Sequence, residues 1–192
     1  MPKVGMEPIR RAALVQAAIQ EIGAAGSLDV PVSRIAKRAG MSSALAHHYF
    51  GSKEEMFLAA MRHILGQYGT EVRRRLVPAK GPRARLEAVI SAGFAPVNFR
   101  HETVSAWLSF YVLAQTSPQA NRLLRVYHRR LHTNLVHDLR PLAGDGAAAG
   151  IAERLAGLID GLYLHAALNP KTTAAIANGH ALQALDKELR TA

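Results

Sequence analysis

The stretch SSALAHHYFGSK, residues 42–53, gathers two adjacent histidines, a tyrosine and a lysine in one short segment. Such a cluster can bind a metal, transfer protons or grip nucleic acid. Metal binding fails on geometry, because neighbouring helical residues such as His47 and His48 point about 100° apart and no carboxylate completes a set. A second histidine pair, His128 and His132, has the i, i+4 spacing of one helix face, but zinc needs further ligands. The flanking Arg125, Arg129 and Arg130 oppose a divalent cation, so a solvated basic face fits better. Trp107, Phe110 and Tyr111 stand at i, i+3 and i+4, which suits either core packing or one wall of a ligand site. Asp160 lies in the apolar run LIDGLYL, where an ionised carboxylate requires a partner, either a cationic ligand or an arginine from a neighbouring helix. Histidines aside, no paired carboxylates, phosphate loop or nucleophile–base set appears, so an enzyme, a cofactor and a bound metal are not expected.

Charge points toward an anionic partner. The net charge is +10, yet residues 1–56 carry seven basic and five acidic groups while residues 57–140 carry thirteen and four. The excess lies in the middle of the chain, so nucleic-acid contact at His47 and His48 must be argued from local sequence. Absence of cysteine excludes disulfides and thiolate sites. MPKVGMEPIRR lacks the apolar core of a leader, and no apolar run reaches the length of a membrane span, so a cytoplasmic protein without membrane contact is expected.

The elements that must position these groups are all helical. Apolar residues recur at helical spacing throughout, with no alternating strand-length run. Helices are expected at 7–25, 32–39, 43–50, 53–76, 82–98, 102–116, 118–140, 147–168 and 172–190, about nine in all. Gly26, Gly40, Pro78, Pro96, Ser117-Pro118, PLAGDG and Asn169-Pro170 mark the breaks. Ser42 or Ser43 can cap the third helix, and Ser52 with Glu55 forms a capping box for the fourth.

Within VSRIAKRAGMSSALAHHYF, Ile35 and Ala36 make a packing face and Gly40 supplies a tight turn. Met41 and Leu45 then point inward, leaving Ser42, Ser43, Ala44, Ala46, His47 and His48 outward. The eight-residue third helix is about 12 Å long, a match for a major groove about 12 Å wide. This is the form of a helix-turn-helix. Through IAKRAGMSSALAHHYFGSKEEMF, above all Ala36, Gly40, Phe50, Lys53 and Glu55, the chain resembles the TetR family of bacterial transcriptional repressors. The resemblance implies a recognition helix at 43–49 and a Lys53–phosphate contact at the fourth helix start. Many members carry tyrosine where this chain has His47, so the tyrosine–phosphate contact passes to Tyr49 or a histidine. Arg10 and Arg34 complete the expected DNA-binding set.

PKVGMEPIRR, AWLSFY (106–111), YHRRLHTNLV (127–136) and LIDGLYLHAAL (158–168) are similar to the choline-responsive repressors of the glycine-betaine pathway within that family. Choline presents no strong hydrogen-bond donor and is held by aromatic faces, each worth about 0.5–2 kcal/mol. The resemblance thus implies an effector wall of Phe94, Trp107, Phe110, Tyr111, Tyr127 and Tyr163 with Asp160. Gly157 and Gly161 suggest close helix approach at a homodimer seam, with Ile151, Leu155, Ile159 and Leu162 on one helix and Leu182 and Leu185 on the last. The expected organisation is a DNA-binding segment, residues 1–50, and a ligand-binding and dimerisation domain, residues 51–192. A dimer would read a near-palindromic operator and release it when a small ligand binds. The alternatives are a regulator of the same family serving efflux or lipid metabolism, or a non-specific architectural DNA binder driven by charge.

Overall fold

The computed structural model describes residues 5–191, so the first four residues of the expected DNA-binding segment, where the leader was sought, and the last residue of the chain lie outside the described residues. All regular structure among the described residues is helical: α1 (Met6–Ala25), α2 (Val32–Arg38), α3 (Ser43–Phe50), α4 (Lys53–Leu76), α5 (Gly81–Gly93), α6 (His101–Thr116), α7 (Pro118–Leu168) and α8 (Ala174–Thr191). These eight helices replace the expected nine because the PLAGDG segment does not open into a loop. Helical backbone continues on both sides of Gly144, and that residue alone, at φ 78 and ψ 163, leaves helical space. Only glycine adopts such a conformation at low cost. The fifth helix stops five residues earlier than expected, since Pro96 has no N–H and disfavours helical backbone before it. The buried Asn98 side chain donates to the Ala92 carbonyl at 2.8 Å and satisfies part of that helix end.

Two compact units emerge. The first holds the chain up to Ile64 together with His101–Leu123, and the second holds Leu65–Arg100 together with Leu124 onward. Both α4 and α7 contribute residues to each unit. Among the described residues no helix is long and apolar enough to cross a membrane.

In the first unit, α1 packs on α2, α3 and α6. Leu14, Ile22, Ile35, Met61 and Phe110 are fully buried there. A Cβ added at Gly23 would come within 2.5 Å of the Glu102 Cα, so α1 and α6 touch through backbone at that point. Glu21 is 3% exposed and receives guanidinium groups from Arg34 and Arg38, which ties α1 to α2. Burial raises the Glu21 pKa, but the hydrogen bonds and charges of Arg38 and Arg34 outweigh it and hold the carboxyl below its ordinary range.

In the second unit, the core is built from Leu86, Ile90, Leu131, Leu135, Leu139, Ile151, Leu155, Ile159 and Leu185. This removes four residues from the expected seam: Ile151, Leu155, Ile159 and Leu185, each 3% exposed or less, are covered by their own chain. On α7, Ile151, Leu155 and Ile159 follow one another at four-residue spacing and share the inward face, while Gly157 and Gly161, two residues from Ile159 on either side, occupy the opposite face. Ion pairs lock α8 in place, with Arg154 donating to both Glu188 oxygens at 2.7 and 2.5 Å and Arg83 bridging Glu87 and Asp186.

Gly23→Ala is expected to destabilise the protein by about 1–2 kcal/mol, because separating two backbones outweighs the propensity gained by alanine. Urea unfolding measures it, and an unchanged or raised midpoint would show that α1 and α6 can part freely. Glu21→Gln is expected to cost about 1–2 kcal/mol at pH 7. A depressed carboxylate pKa contributes stability above its unfolded value of about 4.3, and this is lost as pH falls through the folded value. The gap between parent and variant should therefore hold from pH 7 to about pH 5 and narrow only as pH falls further toward pH 3 in parallel melts; a gap that stays constant through that lower range would deny the ionic role.

Candidate functional site

A short helix is aimed by what surrounds it. The α2–α3 turn forms at Gly40, φ 68, with the Met41 N–H bonded to the Ala36 carbonyl at 2.8 Å. Ser42 is the N-cap, its hydroxyl accepting the Leu45 N–H at 3.2 Å. Of the capping box expected at the start of α4 the serine half forms, with Ser52 accepting the Glu55 N–H at 3.0 Å, while the Ser52 N–H donates to the Phe50 carbonyl at 2.8 Å instead of to the Glu55 side chain. Phe50 is buried and fixes the inner face of α3, so Ala46, four residues earlier, is buried with it. Ala46 is thus corrected from an outward residue to a packing residue, and Leu45 is only half-buried.

What remains outward is a compact surface. Ser42, Ala44, His47 and His48 are exposed, while Ser43 and Tyr49 are half-buried. Two arginines of α1 hold the end of α3 from behind. Arg10 donates toward the Tyr49 hydroxyl at 3.5 Å, and Arg11 donates to the Tyr49 carbonyl with its guanidinium 4.6 Å from the Phe50 ring centroid. Arg11 escaped the sequence reading; its place one turn from Glu7 on the same helix gave no hint of a partner near residue 50. Lys53 opens α4, 5.5 Å above the Phe57 ring, with Asp29 at 3.9 Å as a solvated partner. Such a pair is worth at most about 1 kcal/mol, so a phosphate at the positive end of α4 can displace Asp29. Arg34 is already engaged by Glu21, which makes its first role the positioning of α2.

The expected effector residues divide between the units. Trp107, Phe110 and Tyr111 belong to the first, where Phe110 is fully buried and Trp107 meets Tyr111 edge-on at 5.6 Å. Phe94, Tyr127, Asp160 and Tyr163 belong to the second, and there the structure adds Tyr68 and Phe99. Phe94, Phe99 and Tyr163 form a mutual ring cluster with centroids 5.2–6.0 Å apart, and Tyr68 packs edge-on to Tyr127 at 5.5 Å. The Tyr163 hydroxyl donates to the Gly93 carbonyl. Burial, reinforced by the nearby Tyr68 and Asp160, pushes the Tyr163 phenol well above its ordinary pKa, and burial does the same to Tyr68. Both rings stay neutral and present π faces rather than charge.

Asp160 meets His128, whose Nε2 lies 3.6 Å from its carboxylate, where the sequence offered a cationic ligand or an arginine. His128 is therefore half-buried beside Tyr127 rather than part of a solvated basic face, while His132 is exposed. Tyr68 and Phe99 were missed because α4 was read as a connector and Phe99 as part of the break after the helix at 82–98. Across α7 and α8, Gly157 is exposed, Gly161 and Leu182 are half-buried and Leu162 is 8% exposed. No atom lies within 4 Å of a Cβ added at Gly157 or Gly161, and both glycines line an open cleft of about 600 Å³ with Leu158, Leu162 and Ile176.

Comparison with known proteins agrees with both halves of the chain. Residues 14–60 match the tetR family of bacterial regulatory proteins, and residues 82–190 match the BetI-type transcriptional repressor C-terminal domain. The HTH-type transcriptional regulator BetI of Brucella suis biovar 1 is 49% identical over 180 residues, covering 92% of this chain and 91% of that protein. A putative transcriptional regulator from Pseudomonas aeruginosa PAO1 shares the fold with a TM-score of 0.80 at 26% identity, covering 95% of this chain and 91% of its own. A putative transcriptional regulator from Saccharomonospora viridis, solved in complex with choline, has a TM-score of 0.80 at 21% identity, covering 92% of this chain and 95% of its own. With a helix-turn-helix whose recognition helix is held from α1, a helical second unit and relatives that are regulators rather than enzymes, this chain belongs to the TetR family of DNA-binding transcriptional repressors, with a BetI-type C-terminal domain.

Proposed function

We propose that this repressor controls choline and glycine-betaine pathway genes as a cytoplasmic homodimer and leaves its operator when a choline-like cation binds. The observation that carries the effector reading is the cluster of Tyr68, Phe94, Phe99, Tyr127 and Tyr163 in one unit with Asp160. Neutral aromatic faces attract a quaternary ammonium, which cannot be satisfied by hydrogen bonds, and a carboxylate supplies the counter-charge. The Brucella relative and the choline-bound fold neighbour support the same reading.

Functionally, residues 1–50 form the DNA-binding segment and residues 51–192 the effector and dimer domain. Ser42, Ser43, Ala44, His47, His48 and Tyr49 face the major groove, while Lys53 and Arg10 add phosphate contacts. Arg34 acts through α2. A ligand favouring the state with misplaced recognition helices lowers operator affinity by the factor that DNA lowers ligand affinity. The α4 helix, continuous from Lys53 to Leu76, carries that coupling.

Calorimetric titration with choline, betaine aldehyde and glycine betaine tests the effector. Choline is expected to bind the parent, with affinity falling about tenfold or more in Asp160→Asn and in Tyr127→Ala, and to release an operator fragment in a mobility-shift assay. No heat from any of the three compounds would reject the betaine assignment and leave the repressor standing. For the dimer, Gly161→Arg fills the cleft on α7 and is expected to give a folded monomer by light scattering, with operator binding weakened at least tenfold as half-site cooperation is lost. A dimer that persists would place the seam elsewhere.

A further inference from the structure

A groove of about 230 Å³ lies wholly within the second unit, between α4 and the first half of α7. Its bed is apolar: Leu65, Tyr68, Val72 and Leu76 come from α4, and Val126, 43% exposed, from α7. Its polar groups are Arg73 on one helix, with Arg130 and Asn134 on the other. Both arginines are exposed. Local acids are spoken for. Glu71 is shared by Arg74 and Arg75, at 2.6 Å each, and Arg73 donates instead to the neutral Thr70 hydroxyl at 3.1 Å. On the other side, no acidic residue occurs between Glu102 and Asp138, and Asp138 is paired with Arg85 at 2.9 Å.

Two guanidinium groups thus line one apolar groove, and among the described residues neither has a carboxylate partner. Like charges across a groove repel, and an anion bound between them relieves that repulsion while accepting charge-assisted hydrogen bonds. The apolar bed adds a second requirement, since water gains nothing from Leu65, Val72 or Val126. Gly69 lines the same groove, and a helical glycine costs about 1 kcal/mol relative to alanine. A Cβ there would stand 3.6 Å from the Arg73 guanidinium, in ordinary van der Waals contact, so that head group lies directly beside Gly69 at the groove. At about 230 Å³ the groove is below the 300–1,000 Å³ of drug-sized sites.

From this we infer that the groove between α4 and α7 is a second ligand site, taking a small amphipathic anion with one carboxylate or phosphate head and a short apolar body. The head bridges Arg73 and Arg130, with Asn134 adding a hydrogen bond, and the apolar body lies on Leu65, Val72 and Val126. Its ligand is opposite in charge to the cation proposed for the aromatic cluster, although Tyr68 and Tyr127 border both. Occupancy joins α4 to α7 through two charge-assisted contacts, so this second ligand acts on the helix that begins at Lys53.

Calorimetry on the full chain, below micelle-forming concentrations, uses octanoate, octyl phosphate, octanol and octyltrimethylammonium as probes. At least one of the two anions is expected to bind with one site per chain, and which of them does so identifies the head group. Octanol is expected to bind about tenfold more weakly or not at all, heat from the quaternary ammonium is expected to be unchanged by Arg73→Gln and Arg130→Gln because it belongs to the aromatic cluster, and these two variants are each expected to weaken the anion about tenfold. Gly69→Leu, which fills the groove while favouring helix, is expected to abolish binding without lowering the melting temperature. The inference is overturned if neither anion gives heat, if octanol matches them, or if folded Arg73→Gln and Arg130→Gln bind as the parent does.

Discussion

An eight-residue helix is too short to persist by itself in water, since nucleating it costs more than its few hydrogen bonds return. Everything the first unit does follows from that constraint. The recognition helix α3 exists because Ser42 caps it, Phe50 and Ala46 bury its inner face, and Arg10 and Arg11 reach across from α1 to its last turn. Its neighbour α2 has the same problem at seven residues, and the buried Glu21 carboxylate between Arg34 and Arg38 answers it. The twenty-residue α1 is the scaffold to which both are bound, and its backbone contact with α6 at Gly23 anchors it in turn.

Charge is spent differently in the two units. In the first, arginines of α1 and α2 position other elements, leaving His47, His48 and Lys53 to face outward. In the second, arginines of α5 and α7 lock α8 through Asp186 and Glu188, while Arg73 and Arg130 have no carboxylate partner among the described residues. Aromatic residues there follow the opposite logic, because burial keeps Tyr68 and Tyr163 neutral and makes their faces the attractive surface. The cation site proposed around Asp160 and the anion site proposed between α4 and α7 would thereby share a single helical unit.

Much of this was legible where local chemistry decides structure. The capping serines of α3 and α4 and Gly40 placed α2, α3 and α4 correctly because these signals act within four residues of themselves. The PLAGDG segment misled for the same reason: turn residues announce a loop, yet one glycine absorbs the whole departure from helix. The apolar stripe of Ile151, Leu155 and Ile159 was visible as a stripe, but periodicity cannot say whether a face meets its own chain or a partner. Burial answers that the chain's own core takes it and that the glycine face of Gly157 and Gly161 stays open.

The sequence by itself determined the helical class and the helix-turn-helix, which rest on short-range spacing, and it pointed to the family through the resemblance of residues 35–57, none of which needs a distant partner to be read. Only the tertiary structure decided that Ala46 turns inward, that Asp160 meets His128, and that Tyr68 and Phe99 join Phe94, Tyr127 and Tyr163. The same holds for Arg73 and Arg130, fifty-seven positions apart, which share one groove. Pairings of that kind depend on how helices cross, and crossing is set by the packing of whole faces rather than by any local signal.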